Sequence, residues 1–215
     1  DSWFPFDQEV QGLINGYRNL QANARILSKK PKLSSTSRIA VIGSGPSLNK
    51  DLPWLHDNQD KLIICACHSA IRPLRAYGIK PDFQFNIEML WTDMKKNKLQ
   101  LDRDVPYVGY YKIPEHIYED FDEVLLIAQY LKCDPVQFFT RVKYAQPTTG
   151  NMAFGLAAYC EPQTMYLLGL DFGFHDPNNP HAKGGLYDKK DGQNQGLRGN
   201  EQIKTPANFP DAGEI

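Results

Sequence analysis

Cysteine is scarce: the 215 residues hold four, Cys65, Cys67, Cys133 and Cys160, with no C-x-x-C and no H-x-x-x-H pair. That excludes a disulfide scaffold and a zinc framework of the usual spacings. Cys65 and Cys67 sit in an apolar run where strand alternation puts them on one face. They read as buried, reduced thiols of a cytoplasmic protein. Long apolar runs are missing as well. Leu62-Ile63-Ile64-Cys65-Ala66-Cys67 is far short of the ~20 residues that span a bilayer. No charge sign dominates: 24 Lys and Arg face 25 Asp and Glu, a formal net charge of -1. Long-range attraction to nucleic acid or anionic lipid is thereby excluded, and any basic site must be local. The chain opens Asp1-Ser2-Trp3 without an initiator Met or a basic-then-apolar leader, which suggests a fragment of a longer protein.

What is present is a foldable chain, 41% hydrophobic and 12% aromatic. Apolar and aromatic side chains run through the first 170 residues, too many for disorder. A domain of this length buries roughly 70% of its unfolded surface and needs neither metal nor disulfide to fold. Phe6, Val10, Leu13, Tyr17, Leu20, Ala24 and Leu27 recur in alternating steps of four and three. They predict an amphipathic helix over residues 4–29, started by Pro5 and Asp7, whose stripe packs on the domain's own core or on another chain. A polar linker follows, Lys29–Lys32 and Ser34–Ser37.

From Arg38 onward, short β-branched runs alternate with helical patches. The strands expected are 38–42, 62–67, 83–87, 107–110, 124–127 and 165–168. The helices expected between them are 69–77, 114–121, 135–140 and 151–160. This alternation predicts an α/β fold, a Rossmann-like, mostly parallel sheet with helices on both faces. The division expected is an N-terminal helix and linker over 1–37, the main domain over 38–187, and a polar loop or truncated extension over 188–215.

Four segments could carry chemistry. Arg38-Ile-Ala-Val-Ile-Gly43-Ser44-Gly45-Pro46-Ser47-Leu48 is a strand entering a glycine bend, placed where open α/β sheets bind ligands. Leu48 stands where a dinucleotide fingerprint needs glycine, and no Gly-Lys-Ser/Thr follows, so neither G-x-G-x-x-G nor a P-loop is matched. A phosphate site and a merely tight turn both fit. Pro147-Thr148-Thr149-Gly150-Asn151 precedes a helix and could cap it or offer donors to an anion. Phe85-Asn86-Ile87-Glu88 puts Asn86 and Glu88 on one strand face, as a ribose or metal contact or a plain polar terminus. Leu168-Gly169-Leu170-Asp171-Phe172-Gly173-Phe174-His175 ends a buried strand with an acid and an imidazole, and His181-Ala182-Lys183-Gly184-Gly185 follows. Histidine is the natural base near neutral pH. His68, one step beyond a buried strand, could face the same cleft, whereas His56 and His116 read as solvated.

Taken together, G-S-G-P-S-L, G-I-K-P-D-F, T-G-N-M-A-F-G-L-A-A-Y and L-L-G-L-D-F-G-F with H-A-K-G-G resemble the flagellar motility accessory factor family. That family shares a domain with archaeal 6-hydroxymethylpterin diphosphokinase-like proteins, and the likeness covers roughly residues 38–187. The G-x-G-P-S and small-residue-glycine elements are also similar to those of bacterial sialyltransferases that use CMP-sialic acid. The resemblance implies a glycosyltransferase moving a nonulosonic acid from a CMP donor to Ser or Thr of flagellin. It puts Gly43, Ser44, Gly45, Pro46 and Ser47 in the nucleotide-binding turn, and Thr148, Thr149, Gly150 and Asn151 near the donor's carboxylate and phosphate. Asp171 takes the strand-end acid position, with His181 and then His175 as candidate base. Glu88 stands where related chains often have Asp, and Cys67-His68 where sialyltransferases have Asn. No cofactor is implied for the transfer, because CMP is its own leaving group. The alternatives are a diphosphokinase using Mg²⁺ held by Glu88 and Asp171, and a non-enzymatic accessory that binds flagellin or a nucleotide sugar. Neither nucleic acid nor a membrane span enters either reading.

Overall fold

The computed structural model describes residues 6–22, 24–89, 102–115, 117–128, 139–174, 176 and 179–185. Cys133, His116, His175, most of the helix expected over 135–140 and the whole of 188–215 lie outside the described residues. The strands are β1 (Arg38–Ile42), β2 (Ile63–Cys67), β3 (Phe83–Asn86), β4 (Tyr107–Tyr110), β5 (Val124–Ile127) and β6 (Thr164–Leu168). The helices are α1 (Phe6–Gln21), α2 (Leu48–Asn58), α3 (Ile71–Ala76), α4 (Ile117–Asp120) and α5 (Thr149–Tyr159). A 3₁₀ turn over His68–Ala70 leads from β2 into α3.

The strands form one sheet in the order β5-β4-β3-β2-β1-β6, and every pairing is parallel. Apolar, β-branched strands such as Arg38-Ile-Ala-Val-Ile suit this arrangement, because a parallel sheet is covered on both faces. Alternation sorts their side chains. Ile39, Val41, Cys65, Phe85, Val108 and Tyr110 meet Met152, Ala153 and Leu156 of α5 on one face. Ala40, Ile42, Ile64 and Ala66 meet Leu48, Leu52 and Leu55 of α2 and Ile71 and Leu74 of α3 on the other. β6 departs from the expectation of a buried strand. It is the sheet's edge, and Leu167 is 51% exposed.

The chain moves outward from β1 through β2, β3, β4 and β5, then returns to lay β6 on the other side of β1. The carboxyl ends of β1 and β6 therefore flank the point where strand order reverses, the usual ligand crevice of an open α/β sheet. Among the described residues no helix is long and apolar enough to cross a membrane.

The first helix corrects its sequence reading twice. It stops at Gln21, and residues 25–27 instead run beside β5, with Leu27 N–H on the Leu126 carbonyl at 2.8 Å and Leu126 N–H on the Arg25 carbonyl at 2.9 Å. Its buried residues are Gly12, Asn15, Gly16 and Asn19. The early apolar stripe faces outward, with Phe6 84% and Tyr17 63% exposed. The reason lies in the segments after β3 and β4, which turn carbonyls toward α1. Asn19 Nδ2 donates to the Tyr111 and Ile113 carbonyls at 2.7 and 2.8 Å, and Asn15 Nδ2 to those of Met89 and Lys112 at 3.1 Å each. Buried backbone carbonyls need partners, and asparagine supplies them. At Gly16 a Cβ would collide with the Tyr111 ring, so only glycine permits this approach.

Candidate functional site

A crevice of about 670 Å³ opens at the carboxyl ends of β1, β2, β3 and β6. Gly43, Ser44 and Gly45 of the first bend line it, with Glu88 after β3 and Thr148, Thr149 and Gly150 before α5. Asp171 and His181 line it too. Pro46, Ser47 and Asn151 are not among its lining residues, and His175 lies outside the described residues. Segments more than 130 residues apart in sequence thus share one cleft.

The glycine bend is closed on itself. Gly43 N–H donates to the Leu168 carbonyl and Gly45 N–H to that of Gly169, both at 2.8 Å. Ser47 donates to Asp171 twice, through its N–H at 2.9 Å and its hydroxyl at 2.5 Å. That engagement explains why Ser47, at the N-terminus of α2, makes no side-chain cap. A Cβ on Gly43 would meet the Gly169 carbonyl, and one on Gly45 the Asp171 carboxylate. These glycines are required by the close approach of β1 to β6 whatever the ligand. Asp171 also makes the bend electronegative, and its charge, after burial, holds the Asp51 carboxyl above the ordinary carboxylate range. Of the bend's amides, Ser44 N–H keeps no partner among the described residues.

The start of α5 differs. Thr148 accepts Asn151 N–H at 3.1 Å and donates its hydroxyl to Asn151 Oδ1 at 2.7 Å, so capping accounts for these two residues. The N–H groups of Thr149 and Gly150 remain without partners among the described residues, on the crevice wall and at the positive end of an eleven-residue helix. The cleft's anion-receptive edge is here.

His181 reaches the crevice because its loop is tied to the first bend. Ala182 N–H donates to the Ser44 carbonyl at 2.8 Å, and Lys183 N–H to Asn49 Oδ1 at 3.0 Å. Burial lowers the His181 pKa, and a hydrogen bond to the Ser44 backbone opposes that shift in part. A carbonyl partner requires an N–H on that ring nitrogen, so in the neutral imidazole the other nitrogen carries the lone pair.

Of Asn86 and Glu88, only Glu88 lines the cleft. Asn86 is fully buried, its Oδ1 accepting Glu88 N–H at 3.2 Å. His68 does face the cleft, its buried Nδ1 without a partner among the described residues, and burial pushes its pKa down to about 4. The sequence gives no polar signal for two further lining residues, Phe172 and Phe174. Their only trace is a pair of aromatics bracketing Gly173 just past a strand. Among the described residues, no three His, Cys, Asp or Glu side chains gather as ligands for a cation.

Comparison with known proteins follows this geometry. A solved structure, the MAf glycosyltransferase from Magnetospirillum magneticum AMB-1, superposes with a TM-score of 0.63 at 22% identity over 80% of this chain. The overlap spans 29% of that structure's chain. A protein of Treponema pallidum (strain Nichols), described only as uncharacterized, is 28% identical over 74 residues, 34% of this chain and 35% of its own length. Residues 13–177 match the model of the 6-hydroxymethylpterin diphosphokinase MptE-like family, a span that takes in all six strands, both bends and Asp171; the chain belongs to that family.

Proposed function

We propose that the crevice is the donor site of a glycosyltransferase, which moves a nonulosonic acid from a CMP donor to a Ser or Thr hydroxyl of flagellin. One observation carries the reading. At the sheet's switch point, two amides at a helix start, unpartnered among the described residues, share a cleft with an imidazole whose burial favours its neutral form. The structural likeness to a glycosyltransferase supports it. Because the chain spans 29% of that protein, the activity of the whole protein belongs to the proposal.

The parts suit a direct displacement. The bond from the sugar's anomeric carbon to the phosphate oxygen breaks, and its electrons leave with CMP. Negative charge grows on that oxygen, and the Thr149 and Gly150 N–H groups, already oriented, stabilise it without reorganising. The acceptor oxygen bonds to the anomeric carbon from the opposite side, inverting it, and His181 takes the hydroxyl proton. Asp171 serves here as a positioning residue, since it holds the Ser47 corner against β6. We assign the reaction to the cytoplasm, a reading that the free thiols of Cys65, Cys67 and Cys160 support.

The family's name raises diphosphokinase chemistry, which would require Mg²⁺. The carboxylates on this wall fit that ion poorly, because both Asp171 oxygens accept from Ser47 and, among the described residues, no three His, Cys, Asp or Glu side chains gather there. No step is derived through it.

The test is transfer from a CMP-linked nonulosonic acid to flagellin, with CMP binding measured alongside. His181→Ala should abolish transfer and leave CMP affinity within about twofold. Undiminished transfer would remove His181 as the base. A wild-type chain that binds no CMP would remove the donor site.

A further inference from the structure

Phe172 is a large apolar side chain that stays 56% exposed on the wall of the cleft. Its backbone lies in the left-handed region, at φ +49°. That region is unfavourable for a bulky residue and persists only where the surroundings impose it. The neighbourhood is well defined. A Cβ on Gly150 would lie 3.3 Å from Phe172 Cζ. The ring's tip therefore rests on the first turn of α5, beside the Thr149 and Gly150 amides. Preceding it, Asp171 is held by two hydrogen bonds to Ser47, so the segment that presents the ring is anchored.

An exposed aromatic face adjoining an anion-receptive helix start has the layout that a nucleotide needs. A base offers a flat π-face a few ångströms from its phosphate, and aromatic side chains stack on it whatever the base's hydrogen-bonding edge. We infer that Phe172 is the stacking platform for the nucleobase of the donor, with the attached phosphate on the Thr149 and Gly150 amides. This rests on the donor-site reading and adds what that reading lacks, a residue that binds the base rather than the phosphate. Burial of the core does not depend on an exposed ring, so Phe172→Ala should fold as the native chain does.

The experiment compares CMP with ribose 5-phosphate, which keeps the sugar and phosphate but has no base, on the wild type, Phe172→Ala and Phe172→Trp. Calorimetry should show CMP affinity falling about tenfold to a hundredfold in Phe172→Ala, the loss expected of one stacked base. Ribose 5-phosphate affinity should stay unchanged, and Phe172→Trp should restore or exceed native CMP affinity. Equal CMP affinity in wild type and Phe172→Ala would overturn the stacking role and leave the donor site standing. Parallel losses for both ligands would overturn it too, by showing that Phe172 only supports the helix start. A wild-type chain that binds neither ligand would overturn the donor site and the platform together.

Discussion

His181 and His68 line the same cleft, and burial drives both pKa values down, but their surroundings give them different uses. His181 keeps a carbonyl partner that fixes which nitrogen holds the proton. With its pKa lowered from 6.5, it remains a base at pH values where a solvated imidazole is already charged. The acid limb of the pH profile for transfer, kcat/KM against pH, should accordingly lie below 6.5. A limb at or above that value would speak against His181 as the titrating base. His68 has no compensating partner for Nδ1 among the described residues, and its consequence is for stability. The unfolded chain takes up this proton near pH 6.5, the folded chain only near pH 4. Between those values the unfolded state binds more protons, so stability falls as pH falls, by about 2–3 kcal/mol at ~1.4 kcal/mol per unit, and levels off below pH 4. Urea unfolding at pH 7 and pH 4.5 should show a smaller acid loss in His68→Asn by about that amount. Equal losses in the two proteins would mean that His68 is not buried as described.

At the scale of elements, α1 shows how far a pattern can be trusted. Its heptad-like stripe is a true sign of a helix, and a helix forms. Periodicity reports which face is apolar, however, and does not report what the opposing surface offers. Here that surface is a set of carbonyls, and the polar face carrying Asn15 and Asn19 turns inward to meet it. Asn19→Ala would strand two buried carbonyls and should cost about 1–3 kcal/mol. Leu13→Ser on the outer face should cost within about 0.5 kcal/mol in the isolated chain. The reverse ranking in chemical denaturation would show that the stripe is core after all. The strands are legible to within one residue because the β-branched runs that build them are short and bounded by glycine, proline or charge. The site's bends are legible for the same reason, as strand ends. What each residue does there is less so. Gly43 and Gly45 look like a ligand cradle in the sequence, but in three dimensions they let β1 and β6 touch. Thr148 and Asn151 cap, and Thr149 and Gly150 keep open donors, a division that spacing alone does not reveal.

Across the whole molecule, the order β5-β4-β3-β2-β1-β6 gathers these residues, and strand order has no local signal in sequence. The β1–β6 seam is the feature on which the cleft depends. Gly43→Ala should force its Cβ against the Gly169 carbonyl and cost about 1–3 kcal/mol, the usual penalty of overpacking a tight contact. It should also weaken CMP binding, because the bends flanking the cleft would separate. Retained affinity with lowered stability would uncouple the seam from the site. The most direct measurement is amide chemical-shift mapping of the native chain during titration with CMP. The shifts should saturate and centre on Ser44, Thr149, Gly150 and Phe172. Saturating shifts that leave these four unmoved, or no saturation at all, would contradict a nucleotide site at the sheet's switch point.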